Sequence, residues 1–140
     1  MGQSIKEVMT PEPVTLPVSA PLTEAARAMR ESDIGDVIVI DDSGKALGLV
    51  TDRDIVIRAL ADGRDPEKTP VGDIASTDLV TLSSDSAVED AISLMRGKAV
   101  RRIVVTEGDQ PVGIVSIGDL AIERDADSAL ADISRAEPDR

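Results

Sequence analysis

Gly48-Leu49-Val50-Thr51-Asp52-Arg53-Asp54 closes one half of this chain, and Gly113-Ile114-Val115-Ser116-Ile117-Gly118-Asp119 closes the other. Each stretch is a glycine, two aliphatic residues, a hydroxyl residue and, three positions on, an aspartate. The match continues upstream. Val14-Thr15-Leu16 returns as Val80-Thr81-Leu82, Met29-Arg30 as Met95-Arg96, and Val37-Ile38-Val39 as Ile103-Val104-Val105, all at one common offset. The closing stretch comes back one position sooner than that offset, so one residue is lost in a turn. An internal repeat sets the architecture before any local reading. A half of roughly 60 residues buries too little surface to be stable alone. The halves are therefore expected to cover each other about a pseudo-twofold axis, with a ligand site at the seam.

Composition narrows the function. The chain has 140 residues, 41% apolar and 30% charged, the proportions of a soluble globular protein. No apolar run approaches the roughly 20 residues of a membrane span and no stretch reads as a signal peptide, so a cytoplasmic location is expected. There is no Cys and no His, which removes disulfides, thiolate chemistry and the commonest general base and metal ligand. Without Phe, Tyr or Trp there is no platform for stacking single-stranded bases. A net charge of −12 opposes a phosphate-backbone partner, and is read as solubility.

Each half reads as β-α-β-β-α. Ser4 to Met9 reads as a short lead-in helix, stopped by Pro11 and Pro13. Val14 to Leu16 is a strand. Pro21 to Arg30 is a helix with Leu22, Ala25, Ala26 and Met29 on one stripe. Asp36 to Asp41 and Ala46 to Val50 form a hairpin around Asp42-Ser43-Gly44-Lys45. Asp52 to Ala61 is a helix with Ile55, Val56, Ala59 and Leu60 on one side. Polar Asp62 to Pro70 follows as a linker. The second half repeats the order, with strands at Leu79 to Leu82, Arg102 to Thr106 and Val112 to Val115, and helices at Ala87 to Arg96 and Ile117 to Glu123. Residues 8–63 are the first motif, 64–72 the linker and 73–124 the second motif. Residues 125–140 are a tail expected to be partly helical and frayed.

This pattern resembles a tandem CBS (cystathionine-β-synthase) domain pair. Met29-Arg30-Glu31-Ser32-Asp33-Ile34-Gly35 with Leu49 to Ile55 is also similar to small stand-alone CBS proteins of the hypoxic-response type. The resemblance implies an α/β fold of two mixed sheets. It also implies a cleft between the motifs that takes AMP, ADP or ATP, with NAD or S-adenosylmethionine as other adenosine ligands. Carried over residue by residue, Asp54 and Asp119 accept the ribose hydroxyls, and Thr51 and Ser116 contact ribose and phosphate. The adenine facing Asp54 lies against Leu49, Val80 and Val100, and the one facing Asp119 against Ile114, Val14 and Ile34. A proline early in the second strand is usual in the family; Ile38 and Val104 stand there instead.

The chemistry is reasonable on its own terms. A carboxylate presents acceptor oxygens to a vicinal diol, and a strand-to-helix junction turns amides toward anions. The same spacing also reads as a capping box, with Thr51 or Ser116 at the N-cap and the aspartate reaching back to its amide. The two roles can coexist. A run of four basic residues (Arg96, Lys98, Arg101 and Arg102) contains no acid from Ala91 to Thr106. Arg101 and Arg102 are candidate phosphate contacts, whereas Arg96 and Lys98 suit a helix C-terminus. The first half has Gly35-Asp36 in place of Arg101-Arg102, and Arg53 in place of Gly118. The two sites are therefore expected to differ in affinity.

Walker and dinucleotide-binding glycine motifs are absent. Asp41-Asp42-Ser43-Gly44 lacks the calcium loop's length and terminal Glu, and reads as a turn. The expectation is a non-catalytic, energy-sensing regulatory module with no required cofactor and no metal. It would form a homodimer through the helices at Pro21 to Arg30 and Ala87 to Arg96, and act on an unidentified protein partner without membrane or nucleic acid. The alternative is a ligand-free, stress-associated interaction protein. No acid–base constellation supports an enzyme.

Overall fold

Each repeat builds one βαββα layer, and the computed structural model describes residues 3–124. The tail expectation for 125–140 lies outside them. The elements are α1 (Ile5–Val8), β1 (Thr10–Pro11), β2 (Thr15–Pro17), α2 (Leu22–Ser32), β3 (Asp36–Ile40), β4 (Ala46–Thr51), α3 (Asp52–Ile55), β5 (Thr81–Ser83), α4 (Val88–Lys98), β6 (Arg102–Glu107), β7 (Gln110–Ser116) and α5 (Ile117–Arg124). A π-helical stretch, Val56–Leu60, continues α3, and Val71–Asp73 is a 3-10 turn. No helix among the described residues is long and apolar enough to cross a membrane.

By packing, the described residues divide into two units: 13–79, and 3–12 together with 80–124. In the first unit the sheet order is β2-β3-β4, with β2 parallel and β4 antiparallel to β3. In the second it is β1-β7-β6-β5, with β5 parallel to β6 and β7 antiparallel. The β-branched runs Val37-Ile38-Val39 and Ile103-Val104-Val105 form the central strands and are buried, as suits half-buried pleated backbone. By strand alternation, Val37 and Val39 enter the first core with Leu22, Ala25 and Met29 of α2. Ile103 and Val105 enter the second with Val88, Ala91 and Met95 of α4.

The lead-in segments change partners. Residues 3–12 pack on the second motif: Ile5 is 0% exposed, its N–H donates to Ser86 O at 2.8 Å, and Thr10–Pro11 pairs with Ile114 and Gly113. The counterpart in the repeat, from Val71 onward, packs on the first motif. Val71 N–H donates to Ala20 O at 2.7 Å, Val71 and Ile74 are buried in the first core, and Leu49 and Ser76 exchange two 2.9 Å hydrogen bonds. Residues 73–79, placed with the second motif by sequence order, thus pack in the first unit. The polar stretch before them is partly docked too, since Leu22 N–H donates to Thr69 O at 2.9 Å.

Two apolar stripes differ from expectation. Ala26 is exposed and α2 buries only Leu22, Ala25 and Met29. In the segment after Thr51, Ile55 and Ala59 are buried, whereas Val56, Ile57 and Leu60 are 55%, 45% and 52% exposed. The backbone widens there to i→i+5 bonding, Ala61 N–H donating to Val56 O at 2.9 Å. Around this widened turn Ile55 and Ala59 face the core, and Val56, Ile57 and Leu60 face outward.

Candidate functional site: two hydroxyl–aspartate junctions

Strand β4 ends as Thr51 turns into α3 with extended backbone (φ −108°, ψ 163°). Asp54 N–H donates to Thr51 Oγ1 at 3.0 Å, and Thr51 N–H donates to Asp54 Oδ2 at 2.9 Å. The second junction repeats this: Asp119 N–H to Ser116 Oγ at 3.2 Å and Ser116 N–H to Asp119 Oδ2 at 3.0 Å. Both capping boxes are formed, satisfying helix-terminal amides that would otherwise lack partners. All four residues are half-buried. Each box engages Oδ2 and leaves Oδ1 of the same carboxylate outside it.

Around each junction the backbone is the same. In the first unit, Asp52 N–H donates to Gly35 O at 3.0 Å and Asp36 stands opposite Thr51 across the β3–β4 ladder. Val14 O accepts from Ile38 N–H at 2.9 Å, and Val14 and Ile34 pack partly buried on the first core. In the second unit, Ile117 N–H donates to Arg101 O at 2.9 Å and Arg102 stands opposite Ser116. Val80 O accepts from Val104 N–H at 3.0 Å, and Val80 and Val100 pack on the second core. Leu49 is half-buried and Ile114 buried, two residues before their hydroxyl residue.

What differs between the units is side-chain charge. The first junction carries Asp36, Asp52 and exposed Arg53 beside Asp54; the second carries exposed Arg101 and half-buried Arg102, with Gly118 in place of Arg53. Arg96 and Lys98 lie exposed in the last turn of α4, where the helix dipole favours cations.

The motif glycines are set by close approach. A Cβ on Gly48 would meet Ser76 O at 3.0 Å and Ala75 Cβ at 3.1 Å, and one on Gly113 would meet Met9 Cγ at 2.9 Å and Thr10 O at 3.0 Å. They let the lead-in segments lie against β4 and β7. Sequence reading missed this role, because Gly48 and Ser76, like Gly113 and Met9, are far apart in the chain.

The Asp41 turn is occupied by its own donors. Asp41 Oδ1 accepts from Ser43 Oγ at 2.7 Å, Ser43 N–H at 2.8 Å and Lys45 N–H at 3.0 Å. The Ser43 hydroxyl, followed by the Lys45 amide, holds the carboxyl below its ordinary value. Among the described residues no group of three or more carboxylates is placed to hold a metal ion.

Comparison with known proteins agrees with this architecture. The family model for the CBS domain matches residues 5–60 and 71–124. The CBS domain-containing protein YhcV of Bacillus subtilis is 38% identical over 135 residues, covering 94% of this chain and 95% of that protein. The structure of Hypoxic Response Protein I with two coordinated zinc ions superposes with a TM-score of 0.75 at 32% identity, over 85% of this chain and 97% of that one. The CBS domain protein PAE2072 from Pyrobaculum aerophilum, complexed with AMP, has a TM-score of 0.76 at 26% identity, over 96% of this chain and 98% of that one. The zinc and the AMP belong to those proteins. With two family matches, two βαββα layers and two hydroxyl–aspartate junctions, this chain belongs to the CBS-domain family as a tandem pair.

Proposed function

We propose that this CBS pair is a non-catalytic regulatory module that binds an adenosine nucleotide, AMP, ADP or ATP, through Asp54 and Asp119. The observation that carries the reading is that each capping box engages Oδ2 and leaves Oδ1 outside it, an acceptor of the kind that ribose hydroxyls need. The AMP complex of the Pyrobaculum protein supports the ligand class. Arg101 and Arg102 beside Ser116, against Gly35 and Asp36 beside Thr51, favour tighter anion binding at the Asp119 junction. The ligand acts by binding one arrangement of the molecule better than another.

Titration calorimetry with AMP, ADP, ATP, NAD and S-adenosylmethionine tests this. Asp119→Asn keeps a capping acceptor but replaces a ligand-facing oxygen with a donor. It should weaken the tighter event by about 10- to 100-fold, the worth of a charged hydrogen bond. Asp54→Asn should weaken the other event. Silence toward all five ligands removes the reading.

A homodimer is part of the same proposal. The stripes of α2 and α4, expected at an interface, are buried within their own units. Val56, Ile57 and Leu60 are exposed instead, and an apolar cluster of this kind marks an association surface. Val56→Glu with Leu60→Glu should turn a dimer into a monomer in sedimentation; an unchanged dimer places the interface elsewhere. If the nucleotides fail to bind, this surface supports the alternative of a ligand-free interaction protein.

A further inference from the structure

Met9 joins α1 to β1, its N–H donating to Ile5 O at 3.0 Å. It is half-buried and packs on the second core. Its thioether lies where a side chain on Gly113 would begin: Met9 Sδ is the nearest atom to a Cβ built there, and Cγ is 2.9 Å from it. Met29 and Met95 are 8% and 6% exposed inside the cores. The chain has no Cys and no aromatic residue, so methionine is its main oxidisable side chain.

We propose that Met9 is an oxidation site that latches the lead-in segment onto the second motif and releases it when oxidised. The oxidant is hydrogen peroxide. The sulfur lone pair attacks the peroxide, the O–O bond breaks, an S–O bond forms and water leaves. Sulfur loses two electrons and the peroxide gains them. The product is polar and larger, and the sulfur that carries it lies against the Gly113 backbone at the edge of an aliphatic cluster, where an S–O dipole gains nothing. To hydrate, the side chain must swing out, which unpins Thr10–Pro11 from Gly113 and Ile114. Two residues beyond Ile114 is Ser116, which forms the capping box with Asp119. The device is one-sided, because the equivalent contact in the first unit is Ala75 on Gly48.

The test treats the full chain with hydrogen peroxide, maps oxygen addition by peptide mass spectrometry and follows amide hydrogen exchange. Met9 should gain an oxygen before Met29 and Met95. Exchange over residues 3–12 and 113–116 should then quicken about tenfold, the mark of local opening, and methionine sulfoxide reductase should restore it. Met9→Leu should stay protected under peroxide, even with Met1 oxidised. Oxidation of Met29 or Met95 no later than Met9 overturns the proposal. So does a Met9 sulfoxide with unchanged protection, or equal loosening in Met9→Leu. None of these readouts depends on nucleotide binding.

Discussion

The backbone claims one oxygen of Asp54 and of Asp119, and this gives each aspartate a structural part as well as any binding part. Loss of the box has a cost independent of ligand. Thr51→Ala or Asp54→Ala should each lower stability by about 0.5–2 kcal/mol, read as a lower denaturant midpoint with an unchanged slope. Asp54→Asn, which keeps an acceptor, should lose less. A larger loss from Asn than from Ala would contradict the geometry. The three-residue spacing made both roles legible in the sequence. The Gly35 carbonyl on Asp52 and the position of Asp36 opposite Thr51 were not, because they depend on hairpin register, which a bulge between Val39 and Ile40 alters.

At the scale of elements, α2 and α4 end alike and later than their sequences indicate. Both run two residues past the expected Arg30 and Arg96, then turn at Asp33 and Ala99 with φ of 54° and 55°. Their N–H groups donate to Met29 O and Met95 O. Helix ends of this type usually carry glycine, and neither position does, so the usual stop signal is missing. A left-handed Ala stores roughly 1 kcal/mol of strain. Ala99→Gly should therefore stabilise the chain by up to about 0.5 kcal/mol once glycine's own entropy cost of about 0.5–1 kcal/mol is subtracted, seen as a slightly higher melting temperature. A drop in melting temperature would show that Ala99 is not strained.

For the whole molecule, the consequential feature is the exchange of lead-in segments. Residue 5 lies far in sequence from the core it completes, with the whole first motif intervening. Ile5→Ala should cost about 2–5 kcal/mol, as for other fully buried aliphatic truncations. Native-state hydrogen exchange should show the loss over residues 80–120, with residues 13–79 retaining more of their protection. Equal loss in both, or none, would mean that the lead-in is not a working part of the second core.

The sequence by itself determined the repeat, the βαββα order, the central β-branched strands and the two hydroxyl–aspartate junctions. Each of these is written in local spacing, and duplication removes the ambiguity that a single copy would carry. Tertiary structure alone decided which core each lead-in joins, why Gly48 and Gly113 cannot carry a side chain, and which apolar residues of the 55–60 segment face outward. Those outcomes depend on contacts between segments distant in the chain and on the winding of a helix. Hydrophobic periodicity reports neither; it records that a residue prefers burial, not which partner buries it.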